Sequence, residues 1–142
     1  MNKLKKIKDF NSAADHYDRD AIMQSMIAEE LIDRLHYIKI NPKRILDIGS
    51  ATGRNAILLA KIFPAAEIYE LDFSIDMLRV SMNKSSGFRK LFSSKKRYFI
   101  NADMDLLPFH DNTFDLIVSS NSIQWSENIN ALFKTLREFI NK

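Results

Sequence analysis

The chain has 142 residues, 46% of them hydrophobic and 27% charged, with a formal net charge of +3 and no cysteine. A chain of this length makes one domain with a real core, and its composition lies outside the disordered, fibrous and disulfide-stapled classes. The missing cysteines exclude disulfides, thiolate zinc sites, iron–sulfur clusters and thiol nucleophiles, and they suit a reducing compartment.

The opening stretch MNKLKKIKDF is basic but has neither the apolar run nor the cleavage site of a secretory signal. No later run is apolar for the roughly 18 residues that a membrane span needs, so the expected location is the cytoplasm. From Ala21 to Ile38, Met23, Ile27, Leu31, Leu35 and Ile38 recur at helical spacing, which predicts an amphipathic helix ending before Pro42. RILDI, residues 44–48, reads as a buried strand, and 54–63 as a helix stopped by Pro64. EIYELD, residues 67–72, is a second strand, and Ser74 can cap a third helix with Asp76 in its first turn and Gly87 closing the region. RYFI, residues 97–100, is a third strand and DLIVSS, residues 115–120, a fourth. A helix from Ile129 to Ile140 follows. Asp111 and Asp115 read as a turn former and a strand-start residue.

Strands alternating with helices imply β-α-β units, so the fold class is α/β with a parallel sheet covered on both faces. In such sheets ligands bind beyond the carboxyl ends of the strands. There the sequence places Gly49 and Gly53 after strand one, Asp72 at the end of strand two, Asp103 after strand three, and Ser119, Ser120 and Asn121 after strand four. The glycine turn does not fit a dinucleotide. Read as G-x-G-x-x-G from Gly49, the third glycine position holds Arg54. It does not fit a P-loop either, because ATGRNA lacks the Gly-Lys-Ser/Thr ending.

The stretch LDIGSATGRNA resembles the first motif of the class I S-adenosylmethionine-dependent methyltransferases, an acid and a glycine turn of the form D-x-G-x-G-x-G. Asp47, Gly49 and Gly53 match it, Ser50 takes a variable place, and Ala51 replaces the middle glycine, a departure tolerable at negative φ. The resemblance runs through DMDLLPFHDNTFDLIVSS and covers nearly the whole chain after residue 44. It implies a Rossmann-like fold that binds S-adenosyl-L-methionine. Asp47 and the turn from Gly49 through Ser50 and Ala51 to Gly53 would hold the methionine part, and Asp72 the ribose. Phe73, Met77 and Met104 would flank the adenine, Asp103 would take its amino group, and Ser119 would border the site. Met77 also reads simply as core.

The segment FNSAADHYDRDAIMQ, with His16 and Tyr17, and NSIQW, with Gln124 and Trp125, resemble the malonyl-acyl-carrier-protein O-methyltransferases of biotin synthesis. Within that family Asn121 stands where an apolar residue is usual. By that resemblance residues 1–40 form a helical lid in which His16 and Tyr17 act, residues 41–142 form the cofactor half, and Gln124 and Trp125 shape the acceptor pocket. His16 reads equally as a surface histidine beside Asp15 and Asp18. The family continues into three more strands after the fourth, so a chain cut there would lack strands five to seven and their acceptor-binding insertions. An inactive remnant, a binding module and another small-molecule methyltransferase remain as alternatives.

A malonyl carboxylate is ionised at pH 7, so its methylation needs no strong base. Three scattered histidines without ligand spacing argue against a metal. The cations Lys84, Arg89, Lys90, Lys95, Lys96 and Arg97 read first as a solvated face, and second as a surface that would steer an acidic acyl carrier protein. They carry few interleaved aromatics and no recognised motif of a nucleic-acid surface.

Overall fold

A computed structural model describes residues 3–88 and 96–141. Helices α1 (Lys3–Ala13), α2 (Tyr17–Asp20) and α3 (Ile22–Asp33) lead through a 3-10 turn (Arg34–Tyr37) into β1 (Arg44–Ile48). Then follow α4 (Arg54–Ile62), β2 (Glu67–Asp72), α5 (Ile75–Phe88), β3 (Arg97–Asn101), β4 (Leu116–Ser119), a 3-10 turn (Ile123–Trp125) and α6 (Ile129–Phe139).

The four described strands are parallel in the order β3-β2-β1-β4. After β1 the chain moves outward through β2 and β3, then returns to the other side of β1 to lay down β4. The order therefore reverses between β1 and β4, and loops leaving those two strands diverge to open a crevice at their carboxyl ends. Alternation along β1 divides the core. Ile45 joins Ile32, Leu59, Ile68 and Val118 on one face; Leu46 and Ile48 join Leu71, Phe114, Leu132 and Phe139 on the other.

Local signals set several boundaries. Ser74 Oγ accepts from Met77 N at 3.2 Å and so caps α5, while Asn128 Oδ1 accepts from Ala131 N at 3.0 Å and caps α6. The Asp115 carboxylate accepts from the backbone N–H groups of Lys43 and Arg44 at 2.7 and 2.9 Å and from Asn141 Nδ2 at 2.6 Å, which ties the starts of β1 and β4 to the chain beyond α6. Its role is structural, as the sequence reading has it.

The amino-terminal region departs from that reading. The expected helix over 21–38 is α3 plus a 3-10 turn, and α1 and α2 precede it. Its inward face is also different: Ala21, Ala28 and Ile32 are buried, whereas Met23, Ile27 and Ile38 are exposed. Small side chains let α3 lie close to the glycine turn, and that proximity outweighs the larger apolar stripe. Gly87 lies inside α5 rather than after it.

Candidate functional site

The crevice has two lobes that meet at Gly49. The first is lined by Asp72, Phe73, Asp103, Met104 and Trp125, all singled out in the sequence, together with Lys3 and Lys6 from α1. Tyr17, Ser50, Ala51, Thr52, Asn55 and Asn121 are among the residues lining the second. Asp47, Gly53, Met77 and Ser119 line neither lobe; Met77 is fully buried in the core. His16, at the start of α2, and Gln124 are exposed, with Gln124 Nε2 donating to Asn121 O at 2.8 Å.

The turn between β1 and α4 is built from residues of positive φ: Gly49 at 70°, Ala51 at 45° and Gly53 at 80°. Ala51 thus does not have the negative φ at which its replacement of glycine would be free of strain. An L residue held there is strained by about 1–2 kcal/mol, and the strain is held in part by Ala51 N donating to Asp72 Oδ2 at 2.9 Å. The glycines answer to the protein's own packing. A Cβ on Gly49 would sit 2.2 Å from Ser122 Cβ, and one on Gly53 would lie 1.9 Å from Ser81 Oγ and 2.8 Å from Glu70 Oε2. Asn121 has a φ of 55°, a conformation that asparagine tolerates better than an apolar residue does.

Behind Gly53 lies a buried network that sequence reasoning missed. Arg97 donates to Glu70, which is fully buried, and also to Ser81 Oγ at 2.8 Å, and Ser81 in turn donates to Glu70. It joins β2, β3 and α5 beneath the turn.

Electrostatics single out two acids. Burial pushes the Asp72 carboxyl up to about 6, against the pull of its hydrogen bonds from the N–H groups of Ser74 and Ala51. Asp47 is pushed up to about 7, first by burial and then by the negative charges of Glu70 and Asp72; a hydrogen bond from Asn55 and the charge of Arg97 oppose the rise. Burial also raises the Tyr17 phenol, helped by the charges of Asp72 and Asp18. Among the described residues three buried side-chain oxygens have no hydrogen-bond partner: Asp47 Oδ2, Ser50 Oγ and Asn55 Oδ1. All three can accept, and they cluster at the glycine turn.

The amino-terminal helices roof both lobes. Lys3 of α1 pairs with Asp103, and with Asp105 at 3.2 Å, and these acids raise its ammonium pKa against a lowering by desolvation. Phe10 packs edge-on against Phe73 and Trp125, with centroids 5.3 and 6.2 Å apart, and Lys6 lies 4.9 Å from the Trp125 ring centre. Asp18 accepts from Thr52 and Lys84, and Lys84 also donates to Thr52 O at 3.1 Å, so α2 is bound to the turn and to α5. Asp105, which the sequence reading passed over, accepts from Ser126 and from Glu127 N and so fixes the loop that carries Trp125.

No group of acids and histidines able to hold a metal ion occurs among the described residues. No described helix is long and apolar enough to cross a membrane.

Residues 45–142 match the family model described as a methyltransferase domain. The chain is 37% identical over 131 residues to a malonyl-[acyl-carrier protein] O-methyltransferase of Gallionella capsiferriformans, covering 92% of this chain and 45% of that protein. A protein of the same name from Legionella pneumophila is 37% identical over 134 residues, covering 94% of this chain and 45% of its own length. The chain thus spans less than half the length of these relatives. Among solved structures, an arsenic(III) S-adenosylmethionine methyltransferase of Chlamydomonas reinhardtii superposes with a TM-score of 0.65 at 22% identity, over 69% of this chain and 35% of that one. A phosphoethanolamine N-methyltransferase of Haemonchus contortus, solved with S-adenosylhomocysteine, gives 0.66 at 23% identity, over 79% and 25%. These two establish the fold, a Rossmann-like α/β sheet.

Proposed function

The chain belongs to the methyltransferase-domain family, and from that premise we propose that it binds S-adenosyl-L-methionine and takes part in methylating the free carboxylate of a malonyl group on acyl carrier protein. The substrate and partner come from the names of its relatives. The reaction is placed in the cytoplasm, as a cysteine-free chain permits.

The observation that carries the cofactor reading is the surplus of buried acceptors in the crevice. Asp72 lines one lobe, Ser50 and Asn55, each with an unpartnered oxygen, line the other, and Asp47, whose second oxygen is also unpartnered, is buried behind Asn55. Such a lining suits a ligand rich in donors, with a ribose diol at one end and an ammonium at the other, and it would repel a pyrophosphate, which carries acceptors only. The residues present therefore fit S-adenosylmethionine better than a dinucleotide.

In this reading Asp72 accepts from the ribose, Phe73 and Met104 enclose the adenine, and the turn from Gly49 to Gly53 with Asp47 holds the amino-acid tail. When bound, the cofactor supplies a sulfonium-activated methyl group. The chain's own part is to align it and exclude water, effects that in general contribute about 7–11 kcal/mol of barrier reduction where geometry is exact enough. Tyr17, half-buried at the second lobe, and Trp125, at the first, close the crevice; Met77 stays in the core and serves only through packing. Residues 1–40 act as the lid and 41–142 as the cofactor half. Asp103 pairs with Lys3 through Oδ2 and accepts from Asp105 N through Oδ1, so an adenine amino group would use the lone pairs left on its carboxylate.

The proposed docking of acyl carrier protein on the basic region narrows in the structure. Lys96 pairs with Glu67 at 3.1 Å, Lys84 with Asp18, and Arg97 is buried against Glu70. Arg89, Lys90 and Lys95 lie outside the described residues, and steering by this region rests on their charge in the sequence.

Calorimetry of the chain with S-adenosylhomocysteine and with NAD tests the cofactor. Binding of the first and not the second is expected; the reverse removes the reading. Transfer of labelled methyl from S-adenosylmethionine to malonyl-acyl carrier protein, against the unacylated carrier as control, tests the acceptor.

A further inference from the structure

We propose that Asp105 is the positioning residue for Trp125: its carboxylate ties the loop that carries this ring to α1, so that the ring takes its place at the first lobe only when the roof is shut. The use made of that lobe rests on the cofactor reading above, whereas the tie itself is tested without a ligand.

Trp125 borders the lobe from the connection between β4 and α6. One end of this connection is held from below. Ser122 Oγ donates to Ile48 O at 2.7 Å, and Trp125 N donates to Ser122 O at 2.9 Å, which fastens the 3-10 turn to the end of β1. Beyond the ring the chain runs extended from Ser126 to the start of α6. Asp105 holds this second end. Its Oδ1 accepts from Ser126 Oγ and its Oδ2 from Glu127 N at 2.9 Å, so one half-buried carboxylate grips the two residues that follow Trp125. The helix itself does not need that grip, because Asn128 caps α6 with its own side chain.

The same Oδ2 receives Lys3 Nζ at 3.2 Å. Asp105 N donates to Asp103 Oδ1 at 3.0 Å, and Lys3 pairs with Asp103 as well. The first turn of α1, the acid lining the lobe and the Trp125 loop therefore converge on one side chain. Two turns further along α1, Phe10 meets the Trp125 ring edge-on. An isolated surface ion pair would link these parts only weakly. Here both carboxylate oxygens take hydrogen bonds, and bonds to an ionised acceptor are about twice as strong as neutral ones. Withdrawal of α1 removes a cation from Asp105 and an aromatic edge from Trp125 together.

Trp125 is the chain's one tryptophan, so its emission reports this loop alone. Time-resolved fluorescence anisotropy of the full chain separates a ring that tumbles with the domain from one that rotates by itself. Asp105→Ala should enlarge the independently rotating fraction about 10-fold or more, the range for lost hydrogen bonds to a charged group. Ser126→Ala, which removes one of them, should enlarge it by less. Lys3→Met should free the ring too, and added to Asp105→Ala or to Ser126→Ala it should have less than its separate effect, because both act through one carboxylate. Asp115→Asn is the control: it alters an equally well-bonded acid at the start of β4 and should leave the motion of Trp125 as in the wild type. Ser126→Ala and Lys3→Met carry the test if Asp105→Ala does not fold. Unchanged motion in the folded variants, the same change in Asp115→Asn, or full additivity with Lys3→Met overturns the proposal. If the wild type fails to bind S-adenosylhomocysteine in calorimetry, the cofactor reading falls, and the anisotropy still decides the tie.

Discussion

The elevated pKa of Asp47 makes a prediction about the free protein that runs against the usual acid lability of a fold. A carboxyl that titrates higher in the native state than in the unfolded chain holds its proton more tightly when folded. Its stabilising contribution is fully present below the unfolded value near 4 and is lost as pH rises through the folded value, about 7 for Asp47 and about 6 for Asp72. At 1.36 kcal/mol per pKa unit, raising the pH from 5 to 8 should remove about 3 kcal/mol through Asp47 and about 1 kcal/mol through Asp72. The carboxyls held low by their partners, among them Asp18, Asp105 and Asp115, lose their contribution only as the pH falls below about 4, outside this window. Asp47→Asn keeps the shape and removes the titration, so its stability should fall by only about 1 kcal/mol over the same range. Urea unfolding at constant ionic strength, with the slope m shown to be unchanged, measures both curves. Wild-type stability that climbs with pH, or an Asp47→Asn protein with the wild-type slope, refutes the reasoning.

Other consequences concern the turn and the network beneath it. Ala51→Gly relieves positive-φ strain of about 1–2 kcal/mol against an unfolded-state entropy cost of about 0.4–1 kcal/mol. A net gain of about 0.5–1 kcal/mol by thermal unfolding is expected, and a loss would contradict the geometry. Arg97→Met strands the buried Glu70 carboxylate and should cost about 3–5 kcal/mol; adding Glu70→Gln should recover part of it, whereas additive losses would show that the pair is not coupled. Charge reversal at Lys90, Lys95 and Lys96 should weaken acyl carrier protein binding and flatten its salt dependence; unchanged binding removes that surface from the proposal.

Most of the sheet was legible because its signals are local. Ile45, Leu46 and Ile48 read as a strand buried on both faces, and Ser74 announces the start of α5 by its own side chain. The acids at the strand tips could be ordered from topology alone, and Asp72, Asp103 and Gly49 do line one crevice. What escaped depends on partners distant in sequence. Lys3 meets Asp103 across the whole domain, and Glu70 meets Arg97 through a strand pairing that no periodicity reveals. The inward face of α3 was misjudged because burial followed the small residues Ala21 and Ala28, which permit close approach, rather than Met23 and Ile27. Asn55, which donates to Asp47 and lines the second lobe, carries a faint signal: an amide in the first helical turn, eight residues after Asp47 and just ahead of an apolar run.

The roof over the crevice also has kinetic meaning. Lys3, Phe10 and Asp18 each clasp a different loop of the domain, so a nucleoside entering or leaving has to undo several fasteners together. Two of the three are ionic and weaken as salt shortens the reach of charge; the aromatic one does not. Exchange of the ligand should therefore quicken with ionic strength and then level off at the pace at which Phe10 withdraws from Phe73 and Trp125.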